Sequence, residues 1–306
     1  MLVIATSDKG GTGRSVTACN VAYQRALLGH DTCYLDFDFG SPTSGAVFGV
    51  DEVYHGVESG GLHHYLQGQV TEPQRIDVWR SSSRRELRAR RSVAGRLVLF
   101  PGDLGGGEFN MTRDVYERCV KLLIRLNEEF GLVLIDLSAG RSHAAEMLLA
   151  VTADDELRRR NMEARWLVFH RWTRQHITAA ADLVDGRSGL VQVGQDLGYS
   201  EGSLRDRIRF VRTAVIEPDS AFARGLQATQ QTWLREVNSN LNDRAIQLGL
   251  GRSVVIASIP LDPVLQWREQ LLTDSDVQDD VANKETVQAF QRLAEDIETG
   301  DTWSRP

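Results

Sequence analysis

Lysine is nearly absent from this sequence. Only three of its 35 basic side chains are lysine, at positions 9, 121 and 284, and the other 32 are arginine. A strong preference for arginine codons would produce this bias. A lysine kept at position 9 is therefore unexpected by chance, whereas an arginine at any one position carries less information.

The sequence also has few cysteines, no long apolar run and no excess of positive charge. The three cysteines lie far apart, with no spacing typical of a metal site, which favours a reducing compartment. No apolar run reaches the roughly 18 residues of a membrane-spanning helix, and the stretch 274–301 is too acidic for a basic membrane anchor. A net charge of −7 argues against a general coat for nucleic acid. The chain opens on a short strand pattern rather than a secretory signal, so we predict a cytoplasmic protein without membrane contact.

The sequence begins with an apolar strand, a glycine-rich turn and a helical pattern. Leu2–Thr6 is typical of a buried parallel strand, and a helix is predicted from Ser15 to Leu28. Positions 9–15 between them read Lys-Gly-Gly-Thr-Gly-Arg-Ser. Glycines allow a tight turn and close approach of the backbone, and the amides at a helix N-terminus attract phosphate. The pattern predicts a phosphate-binding loop, but with Arg14 where such loops normally have lysine.

Apolar strands alternate with helical patterns along most of the chain. Besides the first strand, the predicted strands are Thr32–Leu35, Leu97–Phe100, Leu132–Ile135, Trp166–Phe169 and Ser253–Ile259. A long helix is predicted over 222–248, and residues 186–220 receive no assignment. Residues 51–95 lose periodicity and are interpreted as a surface excursion. The alternation predicts a single α/β domain over 1–306, with a doubly wound, mostly parallel sheet flanked by helices.

Acidic residues follow two of the predicted strands. Asp36 and Asp38 follow the second strand, and Asp136 follows Leu132–Ile135. The carboxyl ends of parallel strands meet at the edge where open α/β sheets bind ligands, so we expect these side chains beside the loop. A nucleoside triphosphate with Mg²⁺ needs amides for its phosphates, a hydroxyl such as that of Ser15, and carboxylates for the metal and the attacking water. Helix capping or simple solvation of these acids is the alternative interpretation.

These stretches resemble the ParA/MinD superfamily of P-loop ATPases. Positions 9–15 are similar to its deviant Walker A loop, and positions 35–42, Leu-Asp-Phe-Asp-Phe-Gly-Ser-Pro, to its Walker A′ element. Positions 132–140 are similar to its Walker B and switch region, and Ile-Pro-Leu-Asp-Pro at 259–263 to the segment near the adenine. The resemblance covers 1–50, 96–140 and 250–270 and is weak over 150–250. With arginine at position 14, the loop resembles that of a subgroup of this superfamily with a variant P-loop.

The resemblance implies a role for each matching residue. Lys9 would reach across a nucleotide-sandwich dimer to the partner's phosphates, and Asp38 would position the attacking water; these are the two candidate catalytic residues. The nucleotide would contact Gly10, Gly11, Thr12, Gly13, Arg14, Ser15, Val16 and Pro260. Mg²⁺ would be held by Ser15, Asp36 and Asp136. The implied cofactors are ATP and Mg²⁺, and the implied function is a nucleotide-dependent homodimer that positions or recruits a protein partner or cargo.

Hydrolysis is the open question, because arginine is longer than lysine, planar and forked. Arg14 either binds the β-phosphate while the geometry for hydrolysis is lost, or swings out and weakens nucleotide binding. We therefore expect a weak ATPase, with a non-hydrolysing nucleotide-binding scaffold as the alternative. A further alternative is an NAD(P)-dependent oxidoreductase, since Gly11-x-Gly13-x-x-Val16 followed by Asp36 mimics a dinucleotide fingerprint. That fingerprint lacks its third glycine here.

Seven arginines lie between positions 80 and 96. They are Arg80, Arg84, Arg85, Arg88, Arg90, Arg91 and Arg96. Such a run could bind DNA phosphates without sequence preference, as ParA-like proteins do. A solvated surface or a contact with a partner protein is the favoured interpretation.

Overall fold

One eight-stranded sheet forms the centre of the molecule. The computed structural model describes residues 1–89, 93–200 and 202–303. The strands are β1 Leu2–Thr6, β2 Thr32–Phe37, β3 Ile76–Asp77, β4 Leu97–Phe100, β5 Leu132–Leu137, β6 Ala164–Arg171, β7 Ile208–Val215 and β8 Val255–Pro260. They lie in the order β3-β4-β2-β5-β1-β6-β7-β8, and every neighbouring pair is parallel except β3 with β4. The predicted doubly wound, mostly parallel sheet is confirmed.

Helices cover both faces of the sheet. They are α1 Arg14–Leu27, α2 Ser44–Phe48, α3 Leu62–Leu66, α4 Val78–Ser81, α5 Arg85–Arg88, α6 Arg113–Glu129, α7 His143–Thr152, α8 Asp155–Arg159, α9 Arg174–Asp185, α10 Leu190–Asp196, α11 Ala221–Arg224, α12 Ala228–Gln247, α13 Val264–Trp267, α14 Asp274–Gln278, α15 Lys284–Asp296 and α16 Gly300–Trp303. In the described part of the chain, no helix is long and apolar enough to cross a membrane.

Two hydrophobic clusters sandwich the sheet. Leu2 and Ile4 of β1 belong to the cluster that includes α6, α7 and α9, whereas Val3 and Ala5 belong to the cluster that includes α1 and α15. Successive side chains of a strand point to opposite faces, so a strand covered on both faces is apolar throughout. This explains why β1, β4 and β5 are recognisable as short apolar runs.

The sequence analysis misses two strands, the two-residue β3 and the eight-residue β7. β7 is the more informative of the two. It contains Arg209 and Arg212, which interrupt the apolar pattern although they are only 2% and 8% exposed. Arg209 donates to the Trp303 carbonyl at 2.6 Å, and Arg212 lies 4.0 Å from the centroid of the Trp172 ring. Carbonyl acceptors and aromatic rings thus replace water around these side chains, and the strand is buried despite its charge.

The long helix predicted over 222–248 is wrong as one element. The structure divides it into α11 and α12, with Gly225 directly after α11. Gln227 and Gln230 form a capping box at the start of α12. Because a capping box satisfies the free amides of a first turn, it begins a new helix at this point.

Residues 51–89 and 93–95 lie at the β4 end of the sheet and supply its edge strand, β3. Leu62, Tyr65 and Leu66 join a hydrophobic core cluster, so the interpreted surface excursion also contributes buried side chains. Its described arginines are largely engaged: Arg80, Arg84 and Arg96 pair with Asp77, Asp276 and both Asp31 and Glu129, respectively. Such pairing favours a solvated surface or protein contact over DNA binding. Arg90 and Arg91 lie outside the described residues.

Candidate functional site

The glycine loop connects β1 to α1, and its glycines border open space. Gly11 and Gly13 have φ of 70° and 71°, a left-handed conformation that favours glycine. A Cβ atom placed on Gly10, Gly11 or Gly13 would meet no other heavy atom within 4 Å. Gly13 caps α1 without a side-chain bond, so the first-turn amides keep free donors. The loop is therefore shaped and open for an anionic ligand.

Two adjoining cavities border the loop. One, of about 420 Å³, is lined by residues 10–16 together with Asp38 and Thr43. The other, of about 260 Å³, is lined by Gly11–Gly13 and by Pro260. Thus the structure brings Pro260 of β8 to the same loop as the predicted phosphate contacts, although 244 positions or more separate them along the chain.

The Arg14 side chain lies at the border of the larger cavity, within a cluster of carboxylates. Its Nε donates to Asp136 Oδ1 at 2.5 Å, and its Nη2 lies 3.3 Å from Asp38 Oδ2. Nη1 donates to Ser7 Oγ at 3.1 Å, and Nη2 also donates to Ser15 Oγ at 3.3 Å. Burial acts to lower the pKa of Arg14, but the Asp136 and Asp38 carboxylates raise it overall. The guanidinium thus stays charged and joins the ends of β1, β2 and β5.

The three predicted carboxylates meet beside the loop. Asp36 is only 1% exposed and accepts hydrogen bonds from the Ser44 amide at 3.0 Å and the Ser44 hydroxyl at 2.5 Å. Burial, followed by the neighbouring Asp136 charge, raises the pKa of Asp36 to about 7. Asp136 also accepts from the Tyr34 hydroxyl at 2.8 Å. Burial raises the pKa of Asp38, and the Arg14 charge partly opposes that rise.

Lys9 differs from Arg14 in having no carboxylate ion pair among the described residues. It is half-buried, and the Ser7 hydroxyl donates to its backbone carbonyl at 3.0 Å. The backbone of the loop is thus held while the Lys9 ammonium stays free of a carboxylate. A basic side chain in this condition can contact a phosphate group without first breaking an ion pair.

Phosphates and a metal ion fit this site differently. The open amides of the loop fit phosphate oxygens. The oxygens predicted for Mg²⁺ include Ser15 Oγ and Asp136, and both already bind Arg14. Asp36 is occupied by Ser44. The Arg14 guanidinium occupies these oxygens and would repel a second cation. Mg²⁺ could therefore bind there only if Arg14 moved out.

Sequence reasoning misses several residues that hold the site together. Ser7, Tyr34 and Ser44 supply hydrogen bonds to Arg14, Asp136 and Asp36. The Thr213 hydroxyl of β7 donates to the Thr12 carbonyl at 2.6 Å and ties the unassigned strand to the loop. Ser7 directly follows β1 and could have been suspected from its place at a predicted strand end, whereas Ser44 begins the unpredicted helix α2. No local pattern marks Thr213.

No family model matches the chain. A septum site-determining protein MinD from Neisseria meningitidis is 25% identical over 150 residues, which are 48% of this chain and 49% of that protein. The match therefore spans about half the length of this curated relative. The MinC:MinD cell division protein complex of Aquifex aeolicus contains a chain with a TM-score of 0.59 and 16% identity. That similarity covers 96% of this chain and 94% of the Aquifex chain.

The chain is similar to MinD in sequence over about half of its length and in fold over nearly all of it. The structure of MinD with Mg-ADP from Pyrococcus horikoshii shares this fold over nearly the whole length, at 98% of each chain. Its TM-score is 0.54 and its identity is 16%. At such identities these two structures show the architecture alone, and the sequence similarity is limited to the part of the chain that the N. meningitidis protein matches.

Proposed function

We propose that this ParA/MinD-like chain is a nucleotide-dependent switch. ATP with Mg²⁺ favours a homodimer, and the dimer positions or recruits a partner protein or cargo. The observation that carries the proposal is the open glycine loop at the N-terminus of α1, next to Asp38 and Asp136. The P. horikoshii MinD structure contains Mg-ADP, and the A. aeolicus MinD is in complex with MinC, which supports a nucleotide and a protein partner.

Each part of the site has a place in this proposal. The amides of 10–13 and the start of α1 hold the phosphates. Val16 and Pro260 border the space for the base, since the same cavity contacts both. Lys9 reaches the phosphates bound by the second copy. With Arg14 displaced, Ser15, Asp36 and Asp136 would hold Mg²⁺, and the bound metal would neutralise phosphate charge.

Hydrolysis is weak in this proposal because of Arg14. Asp38 is the residue proposed to position water, and its carboxylate is bound to the Arg14 guanidinium at 3.3 Å. The same contact favours the second candidate, a nucleotide-binding scaffold that does not hydrolyse ATP. In both cases the loop binds nucleotide, and the two candidates differ only in whether Arg14 permits turnover.

Calorimetric titration with ATP and ADP, each with and without Mg²⁺, tests nucleotide binding. Gly10→Val places a side chain over the loop, and its Cβ would meet no other heavy atom within 4 Å. We expect this variant to bind at least about tenfold more weakly, a change of about 1.4 kcal/mol. Gly107→Val is the matched control, since its Cβ site is equally open and lies outside both cavities.

Absence of heat with every nucleotide, or equal binding by Gly10→Val, would contradict the proposal. NADH is the other ligand to titrate, because the dinucleotide alternative predicts that it binds more tightly than ATP. The dinucleotide alternative requires Asp36 to bind the ribose of the cofactor. Asp36 is instead buried and accepts hydrogen bonds from Ser44, which argues against that alternative.

A further inference from the structure

A groove of about 700 Å³ lies at the opposite end of the sheet from β3, between α12 and β8. We call it the α12–β8 groove. One wall is the face of α12 that carries Arg235, Asn238, Ser239 and Asn242, which are spaced three, four and seven positions apart from the first. The other wall is the consecutive run 255–258 of β8.

The β8 wall is an open strand edge. Within the described residues β8 pairs with β7 alone. Side chains of a strand alternate between faces, so a groove that contacts four consecutive residues follows the edge rather than one face. The free N–H and C=O groups of such an edge are a template for another strand.

Hydrogen bonds of Asn238 hold the α12 wall against the sheet. Asn238 accepts from the Trp172 indole Nε1 at 2.7 Å and donates to the Ile216 carbonyl at 3.0 Å. Both bonds tie α12 to residues that follow β6 and β7. The groove is therefore a formed feature of the fold, with its polar face turned toward the β8 edge.

Three arginines line the groove without a carboxylate partner. Arg212, Arg235 and Arg252 form no ion pair among the described residues, although the protein is acidic overall. Arg212 is 8% exposed and donates from Nη2 to the Leu250 carbonyl at 3.1 Å, while its Nε is enclosed without an acceptor. A buried guanidinium with an unused donor is costly, and a nearby anion offsets that cost.

Glu217 and Asp219 line the same groove, and their negative charges distinguish between a small anion and an acidic peptide as its ligand. A compact dianion such as phosphate would meet these carboxylates together with the arginines. An extended chain can place separate carboxylates at the arginines and apolar side chains elsewhere. Together with the strand edge, this favours a peptide over a small anion.

We propose that the α12–β8 groove binds an extended acidic segment of a partner protein. The segment adds as a strand to β8 and places Asp or Glu side chains at Arg212 and Arg252. Backbone hydrogen bonds to residues 255–258 contribute affinity, and the arginines select for acidic sequences. The groove shares no lining residue with the two cavities at the loop, so the segment is expected to bind without nucleotide.

The probe is a capped peptide in which valine alternates with glutamate, compared with the same peptide carrying lysine in place of glutamate. Both are added to the full chain without nucleotide. We expect the glutamate peptide to slow hydrogen exchange at the amides of 255–258 and to shift the indole N–H resonance of Trp172. The lysine peptide should do neither. Equal effects of the two peptides, or protection only outside β8, would overturn the proposal.

Charge variants locate the interaction. Arg252→Glu and Arg212→Met should each weaken binding of the glutamate peptide at least about tenfold. Arg292→Glu is the matched control, because Arg292 is exposed on α15 and makes the same charge change outside the groove. If Arg212→Met fails to fold, the test rests on Arg252→Glu, because Arg252 is exposed. Unchanged binding of the glutamate peptide by Arg252→Glu refutes the proposal. A Trp172 shift with free glutamate or inorganic phosphate, without protection of β8, identifies a small-anion site and also refutes it.

Discussion

At the scale of single residues, Arg14 changes what the carboxylate cluster can do. Three acids crowded at one sheet edge repel one another, and a fixed internal cation relieves that repulsion. The guanidinium does so through Asp136 and Asp38, and it also donates to the Ser15 hydroxyl at the start of α1. The same arrangement keeps those oxygens away from a metal ion and from an attacking water.

Arg14→Lys should raise the rate of ATP hydrolysis by about tenfold or more, because a single ammonium cannot bridge the separate oxygens that a forked guanidinium joins. Phosphate release with ATP and Mg²⁺ measures this. Arg25→Lys is the control, since Arg25 is also buried and binds Glu298 and the Ala294 carbonyl outside the site. A rate that falls in Arg14→Lys would show instead that the arginine takes part in hydrolysis.

Asp36 should make the protein less stable as the pH rises. Its folded pKa of about 7 lies above its ordinary value of 3.8, so the folded state holds a proton that the unfolded chain has already lost. The stabilising contribution is complete below about pH 4 and disappears as the pH passes 7, amounting to roughly 2–4 kcal/mol. Asp36→Asn removes this titration.

Urea unfolding of both proteins at about pH 5 and pH 8 checks the Asp36 prediction, since ΔG is obtained from the linear dependence on urea. The free energy of unfolding of Asp36→Asn, relative to the unmodified chain, should increase between the two values. The same difference at both values would mean that Asp36 is ionised throughout.

At the scale of elements, short α2 links the core to the site. Its first residue, Ser44, holds Asp36, and the next, Gly45, packs against the turn at Asp51–Val53. A Cβ on Gly45 would lie 2.0 Å from the Val53 carbonyl oxygen, which is backbone and cannot rotate away. The absence of a side chain at Gly45 is therefore a packing requirement.

Gly45→Ala should lower the free energy of unfolding by about 1–3 kcal/mol, because the helix must shift away from Val53. The displacement also loosens the Ser44–Asp36 contact. Gly107→Ala is the control and should be nearly neutral, since no atom lies within 4 Å of its Cβ position. Denaturant midpoints compare the two variants, and an unchanged midpoint in Gly45→Ala would show that α2 moves at no cost.

Elements differ in how well the sequence predicts them. β1, β4 and β5 are covered on both faces, and their uninterrupted apolar runs identify them. β7 is covered as fully but carries Arg209 and Arg212, whose acceptors are carbonyls at Trp303 and Leu250. A local pattern records that a residue is charged, not that distant acceptors make its burial possible.

At the scale of the whole molecule, Lys9 should couple nucleotide to dimerisation. Light scattering with ATP and Mg²⁺ should show a larger dimer fraction than without nucleotide, and Lys9→Ala should remain monomeric. Lys121→Ala is the matched control, because it removes another of the three lysines from an exposed position on α6. Loss of the dimer in both variants, or no response to nucleotide in the unmodified chain, would contradict the role of Lys9.

The sequence by itself determined the class of fold and the place of the site. Apolar runs identify most parallel strands, and the topology of such a sheet brings the loop, Asp36, Asp38 and Asp136 to one edge. The tertiary structure alone decided what Arg14 does there. Its ion pair with Asp136 joins residues 122 positions apart, and the direction of a long side chain depends on the acceptors that surround it after folding. The same dependence on distant neighbours buries the arginines of β7 and leaves Arg235 and Arg252 of the α12–β8 groove without a carboxylate partner among the described residues.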